Sequence, residues 1–282
     1  MPTKAPSEPP QHEEGTFRAG PLELFWQRWR PMGEPRAVIV AVHGHGSHSG
    51  TLGHVVEQLV PAGFAVYAFD LRGHGRSPGA RGLIEDWSEY RDDLAAFLDH
   101  VRDLEPGRPL FLLGHSLGGL IVLDYAICRS EGLAGVIAIS PALMRLVLKS
   151  TVARIPADAP AMTTFEEPQN FGALTRDPEV AARMAADPLR HGVMTAGLLR
   201  GMLAANDRLL GNPQQLEVPL LMMHGLADEV VPADDGERFF ARLTCSDKER
   251  REYPQTLHNP HDDTNRAEVL ADLESWLARH LP

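Results

Sequence analysis

Four short apolar runs, Ala37–Val42 (AVIVAV), Ala65–Phe69 (AVYAF), Leu110–Leu113 (LFLL) and Val136–Ile139 (VIAI), restrict this 282-residue chain more than any other feature. Each is too short for a buried helix and lacks in–out alternation, so each reads as a strand covered on both faces. Helical periods fill the spaces between them: Gly53–Ala62, then about Trp87–Leu104 with Asp86 as N-cap, then Leu117–Cys128. Strand and helix in alternation specify an α/β fold, a mostly parallel sheet flanked by helices. Phe17–Arg18 and Leu22–Arg30 read as two further strands around a turn at Ala19-Gly20, closed by Pro31.

The alternation stops after Ser140, and the next credible strand is Pro219–Met223. A simple crossover needs only a dozen or so residues, and the excess carries helical signals of its own. Met144, Val147/Leu148, Thr151/Val152 and Ile155 keep one helical period, and Leu198, Met202, Ala205 and Leu209 keep another. Asp177-Pro178 is an N-cap and first-turn pair for a short helix between them. Residues 142–212 are therefore expected to form a helical cap on a core made of 16–141 and 213–282. The core resumes with a helix at Ala233–Leu243, a strand at Arg250–Tyr253 and a helix from about Arg266 to His280. Residues 1–15, rich in Pro and Glu without an apolar stretch, are expected to be a disordered leader.

The formal net charge of −11 disfavours nucleic acid and anionic membranes as partners. No run approaches eighteen apolar residues, so a membrane span is not expected. Two cysteines without a pairing signal, Cys128 and Cys245, make a cytoplasmic setting the default.

The strongest chemical signal is L-F-L-L-G-H-S-L-G-G-L, residues 110–120. Gly114-x-Ser116-x-Gly118 alone is weak, but here it lies between a buried strand and a helix, as a nucleophile elbow requires. The competing reading is a Gly-rich strand–helix turn with a bystander serine. A serine nucleophile needs a base and a group that orients the base, and in this arrangement they follow in the order acid, then histidine. Asp228 in H-G-L-A-D-E-V-V-P and His258 in Y-P-Q-T-L-H each fall just past a strand's C-terminal end, where open α/β sheets place their sites. Glu229 and Asp234 are the rival acids. His261 is the rival base, expected to be structural in the solvated cap of the last helix.

A second reading comes from V-A-V-H-G-H-G-S-H-S-G, residues 40–50, where His43, His45 and His48 approach a metal-binding spacing. The pattern approaches that of the metallo-β-lactamase-like hydrolases, but Ser47 stands where their aspartate would be, and no convincing second ligand set follows.

Taken together, F-L-L-G-H-S-L-G-G, D-L-R-G-H-G-R-S (from Asp70), H-G-L-A-D-E-V-V-P and Y-P-Q-T-L-H resemble the α/β-hydrolase fold. The likeness is to its monoacylglycerol lipase and lysophospholipase branch, grouped with serine aminopeptidase-like hydrolases, and it covers about residues 17–281. It is firm in the core motifs and weak in 142–212. Asn259 departs from relatives that often carry an acid after the histidine.

The resemblance implies that the backbone N–H groups of His45 and Leu117 form an oxyanion hole, with His43 a buried structural imidazole and His48 on the loop's outer part. It makes Asp70–Ser77, with His74, a structural turn. It also implies that the cap lines an acyl tunnel, for which Met144, Leu146, Val147, Met194, Leu198 and Met202 are candidates; packing of the cap onto the core is the other reading of each. The expected activity is a serine esterase or lipase on a small-molecule acyl ester, with no cofactor. A short-chain carboxylesterase, thioesterase or amidase of the same fold, and a non-catalytic binding protein, are the alternatives. Oligomeric state and transient membrane contact through the cap are left open.

Overall fold

A computed structural model describes residues 11–166 and 169–281. It opens with an antiparallel hairpin, β1 (Gln11–Ala19) and β2 (Leu22–Arg30), turned at Gly20 with φ 57°. The four apolar runs follow as β3 (Ala37–Val42), β4 (Phe64–Phe69), β5 (Leu110–His115) and β6 (Gly135–Ile139), each buried along its whole length. Two three-residue strands, β7 (Thr164–Glu166) and β8 (Val193–Thr195), pair apart from the main sheet, which is completed by β9 (Leu220–Gly225) and β10 (Lys248–Tyr253). The eight-stranded order is β1-β2-β4-β3-β5-β6-β9-β10, parallel from β4 to β10 and antiparallel at the β1–β2–β4 edge.

Period-two alternation sorts the central strands between two cores, which is why no polar face interrupts them. Val38, Val40, Val42, Tyr67 and Leu112 join one cluster with α2 (Ser88–Leu104) and α3 (Leu117–Cys128). Ile39, Val66, Phe111, Leu113 and Ile137 join the other with α1 (Gly53–Leu59) and α8 (Arg266–Arg279). Between β9 and β10 runs α7 (Ala233–Arg242).

The expectation of a disordered leader needs correction where it can be examined. Residues 1–10 lie outside the described residues, but Gln11–Gly15 are paired with Trp26–Arg30 in register. The stabilising groups are cross-strand rather than local: Arg28 pairs with Glu13, and His12 stacks on Trp29 at 5.2 Å. A charged, polar strand at the sheet edge also discourages pairing with another chain.

Between β6 and β9 the chain forms α4 (Arg145–Val152), β7, α5 (Pro178–Ala186), β8 and α6 (Ala196–Gly211). Asp177 caps α5 by accepting from the Glu179 and Val180 N–H groups, as its spacing from Pro178 predicts. The β7–β8 pair is an addition to the all-helical expectation; three residues are too few to show a period.

Polar contacts hold this insertion to the core. Arg208 of α6 donates to Asp124 of α3 at 2.6 Å, and Asp124 also accepts from Trp87 Nε1 at 2.8 Å. Arg266 Nη1 of α8 donates to Asp177 at 2.8 Å, and Thr195 Oγ1 donates to the Gly82 carbonyl at 2.7 Å.

Asp124 is fully buried, so its removal strands the Trp87 and Arg208 donors. Asp124→Ala is expected to cost about 3 kcal/mol, read from urea unfolding, and Asp124→Asn to cost less. A loss below about 0.5 kcal/mol, the range of ordinary surface substitutions, would contradict this account of the anchor.

Candidate active site

The turn from β5 into α3 is closely packed. A Cβ on Gly118 would stand 2.1 Å from the Val42 carbonyl oxygen, and one on Gly114 would stand 2.2 Å from the Gly118 oxygen. Only glycine allows the first turn of α3 to come this close to β3 and β5. Ser116 between them takes φ 54° and ψ −115°, a conformation that costs a non-glycine residue about 1–3 kcal/mol. It is the one residue from Leu110 to Ile127 that is not buried. The strain raises its hydroxyl out of the sheet.

Two loops meet that hydroxyl. Ser116 Oγ donates to His258 Nε2 across 2.9 Å, and His258 Nδ1 donates to Asp228 Oδ2 across 2.7 Å. Asp228 Oδ1 accepts from the N–H groups of Val230 and Val231, both at 2.9 Å, and His224 Nε2 lies 3.4 Å from Oδ2. Burial by itself raises a carboxyl pKa, but the bonds from His224, His258 and Val231, with attraction to His258, outweigh it. The carboxyl is held well below its ordinary range. An anion fixed in this way keeps the imidazole in its Nδ1–H form. His115 packs behind His258: its Nε2 donates to the His258 carbonyl at 3.1 Å. The rival acids Glu229 and Asp234 are exposed.

The loop after β3 brings its histidines into three different settings. His43 is buried, donating from Nδ1 to the Gly44 carbonyl at 2.8 Å and accepting at Nε2 from the Leu71 N–H at 3.0 Å. His48 Nε2 donates to Asp187 of the insertion at 2.7 Å. His45 packs its ring against His74 at 5.5 Å and His191 at 5.3 Å, with no hydrogen bond on either ring nitrogen among the described residues. Burial drives the pKa of His43 and His191 down to about 4 and of His45 to about 3. Among the described residues no group of three or more His, Cys, Asp or Glu is arranged to hold a metal ion. No hydrogen bond engages the N–H of His45 or Leu117 among them either.

The turn from Asp70 to Ser77 is braced from within. Asp70 accepts from the Ser49 N–H at 2.7 Å and the Arg76 N–H at 2.8 Å, and Ser77 Oγ donates to the Asp70 carbonyl at 2.6 Å.

Ser116 and His258 open on a cavity of about 150 Å³. None of the six expected acyl liners reaches it. Leu198 and Met202 are buried in the core cluster, Met144 and Met194 pack against its side, and Leu146 and Val147 are 61% and 47% exposed. Leu198 and Met202 lie on the face of α6 that packs on the core, Leu146 and Val147 at exposed positions of α4, and Met194 in β8.

The cavity wall is instead mixed: Ser47, Thr51, Arg190, Asn259, His261 and Asp262 line it together with the apolar Leu174 and Val230. The expectation that His261 sits in a solvated cap is corrected: it is 2% exposed, with its ring 4.7 Å from that of His115. Asn259 Oδ1, His261 Nδ1 and Arg190 Nε are buried without a hydrogen-bond partner among the described residues. Sequence reasoning missed Arg190 because nothing local distinguishes it; only the return of the insertion brings it here.

Residues 33–265 match the family described as serine aminopeptidase, S33. A monoacylglycerol lipase of Mycolicibacterium smegmatis is 31% identical over 268 residues, spanning 93% of this chain and 95% of that one. The crystal structure of Paleococcus ferrophilus monoacylglycerol lipase aligns with a TM-score of 0.80 at 31% identity, covering 92% of this chain and 99% of that one. A soluble variant of the Saccharomyces cerevisiae monoglyceride lipase, in complex with a substrate analog, aligns at a TM-score of 0.84. That alignment covers 100% of this chain and 99% of the other, and at 21% identity it speaks for the fold alone.

Two outcomes follow from the site's geometry. Gly118→Ala is expected to lower esterase turnover about a hundredfold or more by displacing the start of α3. Gly53→Ala, where a Cβ meets nothing within 4 Å, serves as the control. The buried imidazoles are neutral when folded and protonate freely only when unfolded. Stability is therefore full above about pH 6.5 and falls as pH drops toward 4, the unfolded chain binding the extra protons. A melting temperature that stays level from pH 7 to about pH 5 would refute that assignment.

Proposed function

This chain belongs to the serine aminopeptidase S33 family, and from that premise we propose that it is a serine carboxylic-ester hydrolase of the monoacylglycerol lipase kind. The observation that carries the reading is the Ser116–His258–Asp228 chain of hydrogen bonds at 2.9 and 2.7 Å. Ser116 Oγ attacks the ester carbonyl carbon while His258 Nε2 takes its proton, and Asp228 stabilises the imidazolium. The carbonyl oxygen becomes an alkoxide held by the N–H groups of His45 and Leu117, each worth roughly 3–4 kcal/mol in the transition state. Collapse expels the alcohol with the proton from His258. Water, deprotonated by the same imidazole, then releases the acid and restores the serine.

The cavity's unpaired groups favour a small neutral polyol as the leaving alcohol. A hydroxyl both donates and accepts, so a glyceryl diol can answer the Asn259 Oδ1 acceptor and the Arg190 donor together. A phosphate headgroup fits less well, because Asp187 and Asp262 already face the Arg190 guanidinium. Residues 142–212 act as a cap in this reading. No helix among the described residues is long and apolar enough to cross a membrane. Cys128 and Cys245 are both free, which is in keeping with a cytoplasmic setting.

Ser116→Ala is expected to abolish p-nitrophenyl ester turnover and fluorophosphonate labelling while leaving the thermal melt nearly unchanged; retained turnover would refute the assignment. Arg190→Met should lower kcat/KM about tenfold on a monoacylglycerol, the value of one charge-assisted hydrogen bond, and less on the p-nitrophenyl ester of the same acyl group. Equal losses on both would remove the diol reading. A profile from acetyl to dodecanoyl esters that peaks at acetyl would instead favour a short-chain carboxylesterase.

A further inference from the structure

The insertion meets the loop after β3 at His48, which donates to Asp187 at 2.7 Å, and again at Gly46. The His191 N–H donates to the Gly46 carbonyl at 3.1 Å, and the His191 carbonyl occupies the space where a Cβ on Gly46 would stand, 2.0 Å away. Two residues on, the Val193 carbonyl presses on Gly82 in the same way, at 2.3 Å from a Cβ built there. The two glycines have φ of 64°, a conformation that removes any side chain from the contact. Between these backbone contacts, the His191 ring packs against His74 at 4.7 Å and His45 at 5.3 Å, and the His45 ring packs against His74 at 5.5 Å. The three imidazoles come from three separate segments: the loop after β3, the loop after β4, and the insertion.

We propose that His191 is a positioning residue for ester hydrolysis: from the insertion it braces the loop that carries the His45 N–H, fixing that donor where the alkoxide forms. The inference rests on the oxyanion role assigned to His45 above. Two arguments support it. Gly44 and Gly46 flank the His45 N–H, so the loop has little stiffness of its own, and the Ser47 N–H bond to the Gly44 carbonyl is long at 3.3 Å. A donor on a soft loop loses its advantage, because an oxyanion hole works only if its dipoles are fixed before charge develops. His48 and Ser49 anchor the loop further on, through Asp187 and Asp70, while His191 holds the Gly46 stretch next to the donor: its N–H donates to the Gly46 carbonyl, and its ring meets the His45 side chain. It touches neither Ser116 nor the cavity, so it acts through His45 and not on the substrate.

The test compares His191→Gly with His191→Phe at pH 8, where imidazoles are neutral, using p-nitrophenyl butyrate and a trifluoromethyl ketone that forms a tetrahedral adduct on serine. His191→Gly is expected to lower kcat about tenfold, a fraction of the hundredfold or more for outright loss of a donor, with KM within about twofold. Affinity for the ketone should fall in the same proportion as kcat. His191→Phe keeps a ring in the contact and should recover most of the loss.

Should the glycine variant fail to fold, Gly82→Ala lifts the insertion at the neighbouring contact and is expected to show the same fall in kcat without a rise in KM. An unchanged kcat in a folded His191→Gly variant that still labels at Ser116 would overturn the proposal while sparing the ester-hydrolase reading. A loss of kcat without matching loss of ketone affinity would overturn it as well. Absence of fluorophosphonate labelling in the wild-type protein would instead strike at the hydrolase reading itself.

Discussion

The first turn of α3 lies against the end of β3 at a distance that admits hydrogen and nothing larger, since a Cβ on Gly118 would fall 2.1 Å from the Val42 oxygen. The rest of the site is arranged around that approach. It forces Ser116 into a conformation few residues adopt, places the start of a helix under its hydroxyl, and brings the loop that follows β3 alongside. The strain of about 1–3 kcal/mol is offset by the two apolar clusters into which β3, β5 and α3 are packed.

Around this turn the chain converges from loops that are distant in sequence but adjacent in the sheet. β9 delivers Asp228 and β10 delivers His258, neighbours because those strands pair in parallel from Leu220↔Lys248 to Gly225↔Tyr253. The same close packing recurs there: a Cβ on Gly225 would meet the Thr256 carbonyl at 2.3 Å. Asp228 and His258 are thus registered by backbone contact before their side chains meet. The buried Asp228 carboxylate, fed by two backbone N–H groups, then sets the tautomer of the imidazole.

Much of this was legible in the sequence, for physical reasons. The central strands are buried on both faces, so their apolar runs announce themselves, and Ser116, Asp228 and His258 are each marked by the strand end they follow. Asp177-Pro178 likewise disclosed α5 through its capping chemistry. What escaped depends on tertiary return. Gln11–Gly15 read as leader because its partners lie across a strand pair, and Arg190, Asn259 and His261 become a cavity wall only when the insertion folds back. The six apolar residues proposed as tunnel liners show the opposite failure. Leu198 and Met202 do share a helical period on α6, but periodicity says that a face is apolar and is silent on what it faces, and Met194 lies in β8 outside any helix.

Arg190 and His191 are consecutive, yet one closes the wall of the cavity and the other meets the loop after β3. A dipeptide with two such contacts couples the inserted segment to the domain beneath it at two points. Grafting the corresponding region from a relative would exchange both contacts together, so in a chimaera the cavity wall and the packing against that loop would change as one.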